Sequence, residues 1–499
     1  MVFYVESIGK NFILISFSQI ITVISGFVIN IFLTRNLGTE LYGQYSLVIS
    51  GVLAIGLQMI ASGFPETMSK FIAEEKEDIV KLTSQILSYL IIESVILTII
   101  FMALSPLIAF SLDENELLYL IIIASLIIIG QGLVSFFISL YNGLRKFKIQ
   151  GIIVSLLAIV KLIFVIIGTL FWGVLGAIMG FLFSTLIISL IFIFVSRKYL
   201  DTKLNFSFSK KIFSYMMQIT LFNLGIVLMT SIDIIMIRYL LNENGNDLVG
   251  IYNAGASISR LVYFLIISLS GVMFPTISNL IANDHFEEAK TQIGGMIKIA
   301  SIFLIPFTLI VSSLSESIVQ ILYKTDYSGS AQINMILVFG YSLLGFFVIF
   351  SNIINATGNV KLPILISLII IAIDAILLFV FITYVGVIGA TIATLISTLI
   401  GFVIIIVYTV KRIGIKLKIA SIIRINLSGI ILFGGLNYII GIFDLQFYYW
   451  IPILFGEIVI YFLLLALFKD FNIIRASKIM YAKYFRKKVE TQANEISNP

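Results

Sequence analysis

Apolar residues fill this chain in long blocks. Blocks of at least the ~20 residues a helix needs to cross a bilayer run at roughly 11–33, 41–64, 83–110, 116–141, 149–170 and 173–196. A basic stretch, SRKYLDTKLNFSFSKK, interrupts them. Six more follow at roughly 211–240, 249–272, 291–315, 331–353, 362–384 and 386–410, the last two divided at Tyr384–Gly386. Beyond a second basic stretch, VKRIGIKLKIASIIR, come two blocks near 420–441 and 449–468. The pattern predicts an all-α, polytopic membrane protein of fourteen transmembrane helices. The first block is too long for a secretory signal core and no small-residue cleavage site follows it, so it is expected to be retained.

The chain states one helix twice. Residues 173–187, GVLGAIMGFLFSTLI, and 386–400, GVIGATIATLISTLI, agree at nine of fifteen positions. Other landmarks keep the same order. GQGLVSFF (130–137) answers GYSLLGFF (340–347), and IFLTRNL around Arg35 answers IIMIRYL around Arg238. Gly43-Gln-Tyr45 answers Gly250-Ile-Tyr252, and Phe64-Pro65 answers Phe274-Pro275. This is a duplicated six-helix unit. Six is even, so both copies enter from one side, and parallel repeats of that kind are related by a pseudo-twofold along the membrane normal. The expected organisation is a lobe over 1–200, a second over 205–412, two extra helices over 413–468 and a basic tail over 469–499.

Composition fits this class, with 60% hydrophobic and 12% charged residues, where soluble domains carry about 25% charged residues. No cysteine is present, which removes disulfides and thiolate chemistry. The lone histidine, His285, sits in the polar run ANDHFEEAK and reads as a loop residue, so no metal site is expected. The net charge of +6 raises nucleic acid or anionic lipid as partners until its distribution is considered. With the N-terminus in the cytoplasm, all of the 32 Lys and Arg fall inside except Arg35, Arg238 and Lys324 outside and Lys161 and Arg260 within spans. That bias obeys the positive-inside rule and puts both termini in the cytoplasm. It leaves membrane lipid, not nucleic acid, as the partner of the basic tail, by attraction to the inner leaflet.

The stretches TRNLGTELYGQYSL, SIDIIMIRYL with VGIYNAGASI, and the NGLRKFK and ATGNVKLP turns resemble the polysaccharide flippase branch of the multidrug/oligosaccharidyl-lipid/polysaccharide exporter superfamily. The resemblance covers residues 1 to about 470. It implies a V-shaped two-lobe transporter of the plasma membrane that moves a polyprenyl-diphosphate-linked oligosaccharide from the cytoplasmic to the outer leaflet. It also implies that the last two helices help to form a groove for the lipid tail. A monomer suffices for such a role.

Charges within spans cost about 2.5–3.5 kcal/mol each at a helix centre and so mark candidate sites. Lys161 and Asp374 share the 213-residue offset of the repeat, which puts opposite charges at equivalent depths. Neither flanking sequence offers a partner, leaving each other, water or the substrate's charge, and both are expected to face the central cleft. The functional reading gives a diphosphate or sugar carboxylate to Lys161, Arg260, Arg35 and Arg238, with snorkelling the alternative for the last two. Asp233 and Asp374 are the carboxylates for Na⁺ or H⁺ coupling. Asp233 and Arg238, five residues apart, are not expected to pair. Glu93 and Glu457 are expected to hydrogen-bond within their own lobes. The alternatives are a drug or metabolite antiporter of the same superfamily and a membrane glycosyltransferase or polymerase. Short outer loops and the lack of an Asp-x-Asp or a phosphate-binding loop argue against an enzyme.

Overall fold

The computed structural model describes residues 2–74, 78–200, 210–241, 245–282, 285–357, 359–414, 419–443 and 450–467. The expected tail at 469–499 and most of the basic stretch at 201–209 lie outside these, as does the side chain of Glu457. Every regular element among the described residues is helical. The first copy comprises α1 (Val2–Ser46), a π-helical turn (Leu47–Val52), α2 (Leu53–Ala73), α3 (Ile79–Ser111), α4 (Glu116–Ser125), α5 (Ile127–Gly143) and α6 (Phe147–Ser196). The second comprises α7 (Lys210–Leu228), α8 (Ile232–Leu240), α9 (Gly245–Ala282), α10 (Phe286–Ser313), α11 (Ser315–Leu322), α12 (Ser330–Ala356), α13 (Lys361–Val385) and α14 (Val387–Ile413). The helices α15 (Ile419–Phe443) and α16 (Trp450–Leu467) follow. Ten helical stretches among the described residues are long and apolar enough to cross a membrane.

Glycine sets the breaks. Within α6 the chain reverses at Gly173 (φ 56°, ψ −132°), and α13 gives way to α14 at Gly386 (φ 71°, ψ −148°). These are the same position in the two copies, held in backbone conformations that are almost exclusive to glycine. Three residues on, a methyl added to Gly176 would strike the carbonyl of Gly168, and one added to Gly389 the carbonyl of Phe381. The two arms of each hairpin therefore touch backbone to backbone. The motif is repeated because the same turn is built twice.

One break differs from expectation. The block 211–240 reads as one helix, but it is interrupted at Met229–Ser231, between α7 and α8. The Thr230 and Ser231 amides reach back only three residues, to Val227 and Leu228. Thr-Ser-Ile-Asp places three short polar side chains where they compete with the helical backbone. Interrupted membrane helices leave backbone groups free to line a site.

The described residues form two compact units. One comprises Met1–Ala289 with Leu314–Gly414, and the other Lys290–Ser313 with the described part of Ile415–Pro499. In the second, Ile302 packs with Ile425, Leu432, Tyr461 and Leu465, and the Tyr461 hydroxyl donates to the Ile302 carbonyl at 2.9 Å. The two extra helices thus pack on the third span of the second copy.

Candidate functional site

Within the first unit the two copies meet at their own equivalent residues. A methyl on Gly43 would overlap the carbonyl of Asn246 and lie 3.1 Å from the Gly250 nitrogen, and one on Gly250 would lie 3.2 Å from the Gly43 nitrogen. Three residues further, Asn253 Nδ2 donates to Ser46 Oγ at 2.9 Å. Both pairs share one sequence offset. Equivalent residues can touch only where the symmetry axis passes between them, so α1 and α9 cross on the pseudo-twofold.

Around this crossing the Arg35 end of the unit is tied shut. Arg35 Nε and Nη2 donate to the carbonyls of Leu322 and Ile321, at 2.8 and 2.5 Å. Arg238 Nη2 meets Glu114 Oε2 at 3.3 Å, and its Nε donates to Asn246 Oδ1 at 3.0 Å. Asn246 Nδ2 donates to both Glu114 oxygens at 2.8 Å, while Gln44 Nε2 reaches Glu114 Oε1 at 2.6 Å. The two repeated arginines make reciprocal ties, each to the copy it does not belong to. Thr39 also donates to Asp247, and the Tyr327 hydroxyl to the Gly38 carbonyl at 2.8 Å. Both arginines have protein acceptors in this conformation.

Below the closure lies a cluster in the second copy. Arg260 donates from Nε to the Tyr341 hydroxyl (3.0 Å), from Nη1 to Asn253 Oδ1 (3.0 Å) and from Nη2 to the Thr230 carbonyl at the break between α7 and α8 (3.3 Å). Asp233, in the first turn of α8, takes the hydroxyl of Tyr252 and the amide of Ile234, the latter at 2.8 Å. A carboxylate suits a helix N-terminus. Asp374 on α13 accepts from Ser397 Oγ at 2.6 Å. Both carboxylates are 1% exposed, and Asp233 lies within electrostatic range of Arg260 and of Asp374. Tyr341 feels the charge of all three.

Arg260 and Asp233 thus meet at the break between α7 and α8, with Asp374 within electrostatic range of Asp233, and Lys161 stands apart. Its ammonium lies 3.3 Å from the centre of the Phe181 ring, a cation–π contact with the second arm of its own hairpin. The expectation that only each other, water or substrate remained as partners is corrected here. Each charge takes its partner from the following helix, Phe181 for Lys161 and Ser397 for Asp374. Glu93 keeps one buried oxygen, Oε2, without a hydrogen bond, against the expected bond within the lobe. Asn253 completes the cluster without a signal in the sequence reading, and Tyr252 and Tyr341 stand there only as landmarks of the repeat. The three polar residues Thr230, Ser231 and Asp233 before Ile234 were the available signal, since they both break the helix and place the carboxylate.

Residues 8–281 match the family described as polysaccharide biosynthesis protein. The chain belongs to that family. Residues 219–380 also match the MatE family, and the protein is a member of the MOP exporter superfamily. An uncharacterized membrane protein of Methanocaldococcus jannaschii is 25% identical over 74% of this chain and 89% of its own length. The lipid II flippase MurJ, in an inward closed conformation, superposes with a TM-score of 0.72 at 20% identity, covering 91% of this chain and 98% of that one. A multidrug resistance MATE family transporter in an outward-facing conformation gives 0.61 at 20% identity, over 81% and 96%. A MOP superfamily transporter from Pyrococcus furiosus, described by a reversed polarity of its binding pocket, gives 0.63 at 18% identity, over 81% and 96%. The fold is that of a polytopic membrane transporter.

Proposed function

We propose that this transporter flips a polyprenyl-diphosphate-linked oligosaccharide from the cytoplasmic to the outer leaflet by alternating access, in assembly of a cell-surface glycan. The observation that carries this reading is the pair α15 and α16, built beyond the two six-helix copies. The flippase likeness extends over 91% of the chain and the multidrug MATE transporter likeness over 81%, which supports associating the added pair with the lipid-substrate reading. The family match over residues 8–281 supports the same class of cargo. On the positive-inside orientation the tied Arg35 end faces outward, and the cleft would load from the cytoplasm.

Two carboxylates beside one guanidinium leave the cluster short of a positive charge when both are ionised. A bound Na⁺ or a proton at Asp233 and Asp374 would restore the balance, which gives the pair its role in coupling. Lys161 is the counter-charge offered to the diphosphate or an acidic sugar. Deleting residues 413–468 tests the cargo. Transport of long-chain polyprenyl substrates is expected to be lost at matched protein levels. Full glycan export by the deletion would remove α15 and α16 from the mechanism and favour a drug or metabolite antiporter.

A further inference from the structure

Asn253 is joined to both the closure and the charge cluster. It is 2% exposed. Its Oδ1 accepts from Arg260 Nη1 at 3.0 Å. Its Nδ2 donates to the Tyr42 hydroxyl at 3.0 Å and to Ser46 Oγ at 2.9 Å, and Tyr42 passes the chain on to Asn30 Oδ1 at 3.3 Å. One amide therefore spends three of its four hydrogen-bonding positions on groups belonging to different copies. We propose that Asn253 is a positioning residue that transmits the state of Asp233, through Arg260, to the crossing of α1 and α9 that closes the Arg35 end.

The asymmetry of the repeat favours a relay over a strut. A strut on a twofold axis needs only the same residue from each side. Here the position is Ser46 in one copy and Asn253 in the other, and the position of Arg260 is Leu53 in the first copy, at the offset that pairs Gly43 with Gly250. Likewise Asp233 answers Asn30, at the offset that pairs Arg35 with Arg238. At the Arg260 and Asp233 positions the second copy alone carries charge, and the amide that reads it sits on the axis.

The geometry gives the direction of transmission. Asn253 and Arg260 lie seven residues apart on α9, two turns along one face. Asp233 draws on the guanidinium from α8. A change in the charge of Asp233 alters the pull on Arg260, and with it the bond to Asn253 Oδ1. The planar amide then turns as one body, so its bonds to Tyr42 and Ser46 are strained or released together. Hydrogen bonds within such a buried chain polarise one another, which makes the coupling greater than that of its separate links.

This inference rests on ion-coupled alternating access, but its test needs no substrate. The chain has no cysteine, so Asn36→Cys and Tyr239→Cys can carry spin labels on the two copies at the closed end. Distances are measured on the full-length protein in liposomes. With Asn253 present, Asp233→Asn is expected to shift the distance distribution. In the Asn253→Leu background that shift is expected to vanish, and in the Asn253→Gln background part of it is expected to return. The same comparison in Asn253→Ser, the residue of the first copy, stands in if the leucine variant does not fold. A shift of equal size with leucine or serine at 253 would overturn the relay and leave a strut. So would an unchanged distance on Asp233→Asn in the parent, because there would be no signal to carry. Intact coupling in a protein that moves no lipid-linked oligosaccharide would count against the cargo, not against Asn253.

Discussion

Lys161 and Asp374 are equivalent residues of opposite charge, and their surroundings diverged with them. The acidic one found a hydroxyl, Ser397. The basic one found a ring, Phe181, while Ser184, which occupies the place of Ser397, turns its hydroxyl to the Phe181 carbonyl instead. The two charges do not pair with each other. Effects of substitutions at sites without a shared partner add to within about 0.3–0.5 kcal/mol. Lys161→Ala is therefore expected to slow flipping without loss of membrane insertion, and Asp374→Asn to change chiefly its ion or pH dependence. The Lys161→Ala/Asp374→Ala double variant should be as impaired as the product of its single variants, measured by glycan export at matched protein levels. Recovery of export in the double variant would show instead that the two residues serve only as an ion pair. The depth of the two charges was legible from their shared offset. Their partners were not, because a helix sequence names its own face and not the residue that the next helix brings to it.

Elements were legible where composition alone dictates them. The apolar blocks anticipated the helices, and their boundaries fall at the turns that Gly173 and Gly386 make. The break at Met229–Ser231 was hidden because Thr, Ser and Asp are short enough to pass as polar spots within one long span. At Gly173 and Gly386 a methyl would meet nothing within 4 Å, so any cost of adding one is the backbone's own. Gly173→Ala and Gly386→Ala should each destabilise by about 1–3 kcal/mol, read as lowered thermal unfolding temperatures in detergent, with similar losses in the two copies. Gly26→Ala, at an exposed helical glycine with equal space, should be neutral or stabilising by up to about 1 kcal/mol. Equal losses at all three positions would contradict the account of the turn.

At the scale of the molecule, duplication explains both what the two copies share and where they differ. Shared glycines place α1 against α9 on the axis, and shared arginines tie each copy to the other at one end. The unshared residues Asp233, Asp374, Arg260 and Asn253 concentrate charge in the second copy beside an interrupted helix. Cross-copy ties at one end of the first unit, with buried charge beneath them, suit a carrier that opens its two copies by turns. The most direct test is to reconstitute the purified protein in liposomes and follow a fluorescent polyprenyl-diphosphate-linked oligosaccharide across the bilayer. The expected result is movement well above that of empty vesicles, reduced by Asp233→Asn and lost on deletion of 413–468. Movement no faster than in empty vesicles, from protein that drives efflux of a drug cation in the same preparation, would contradict it.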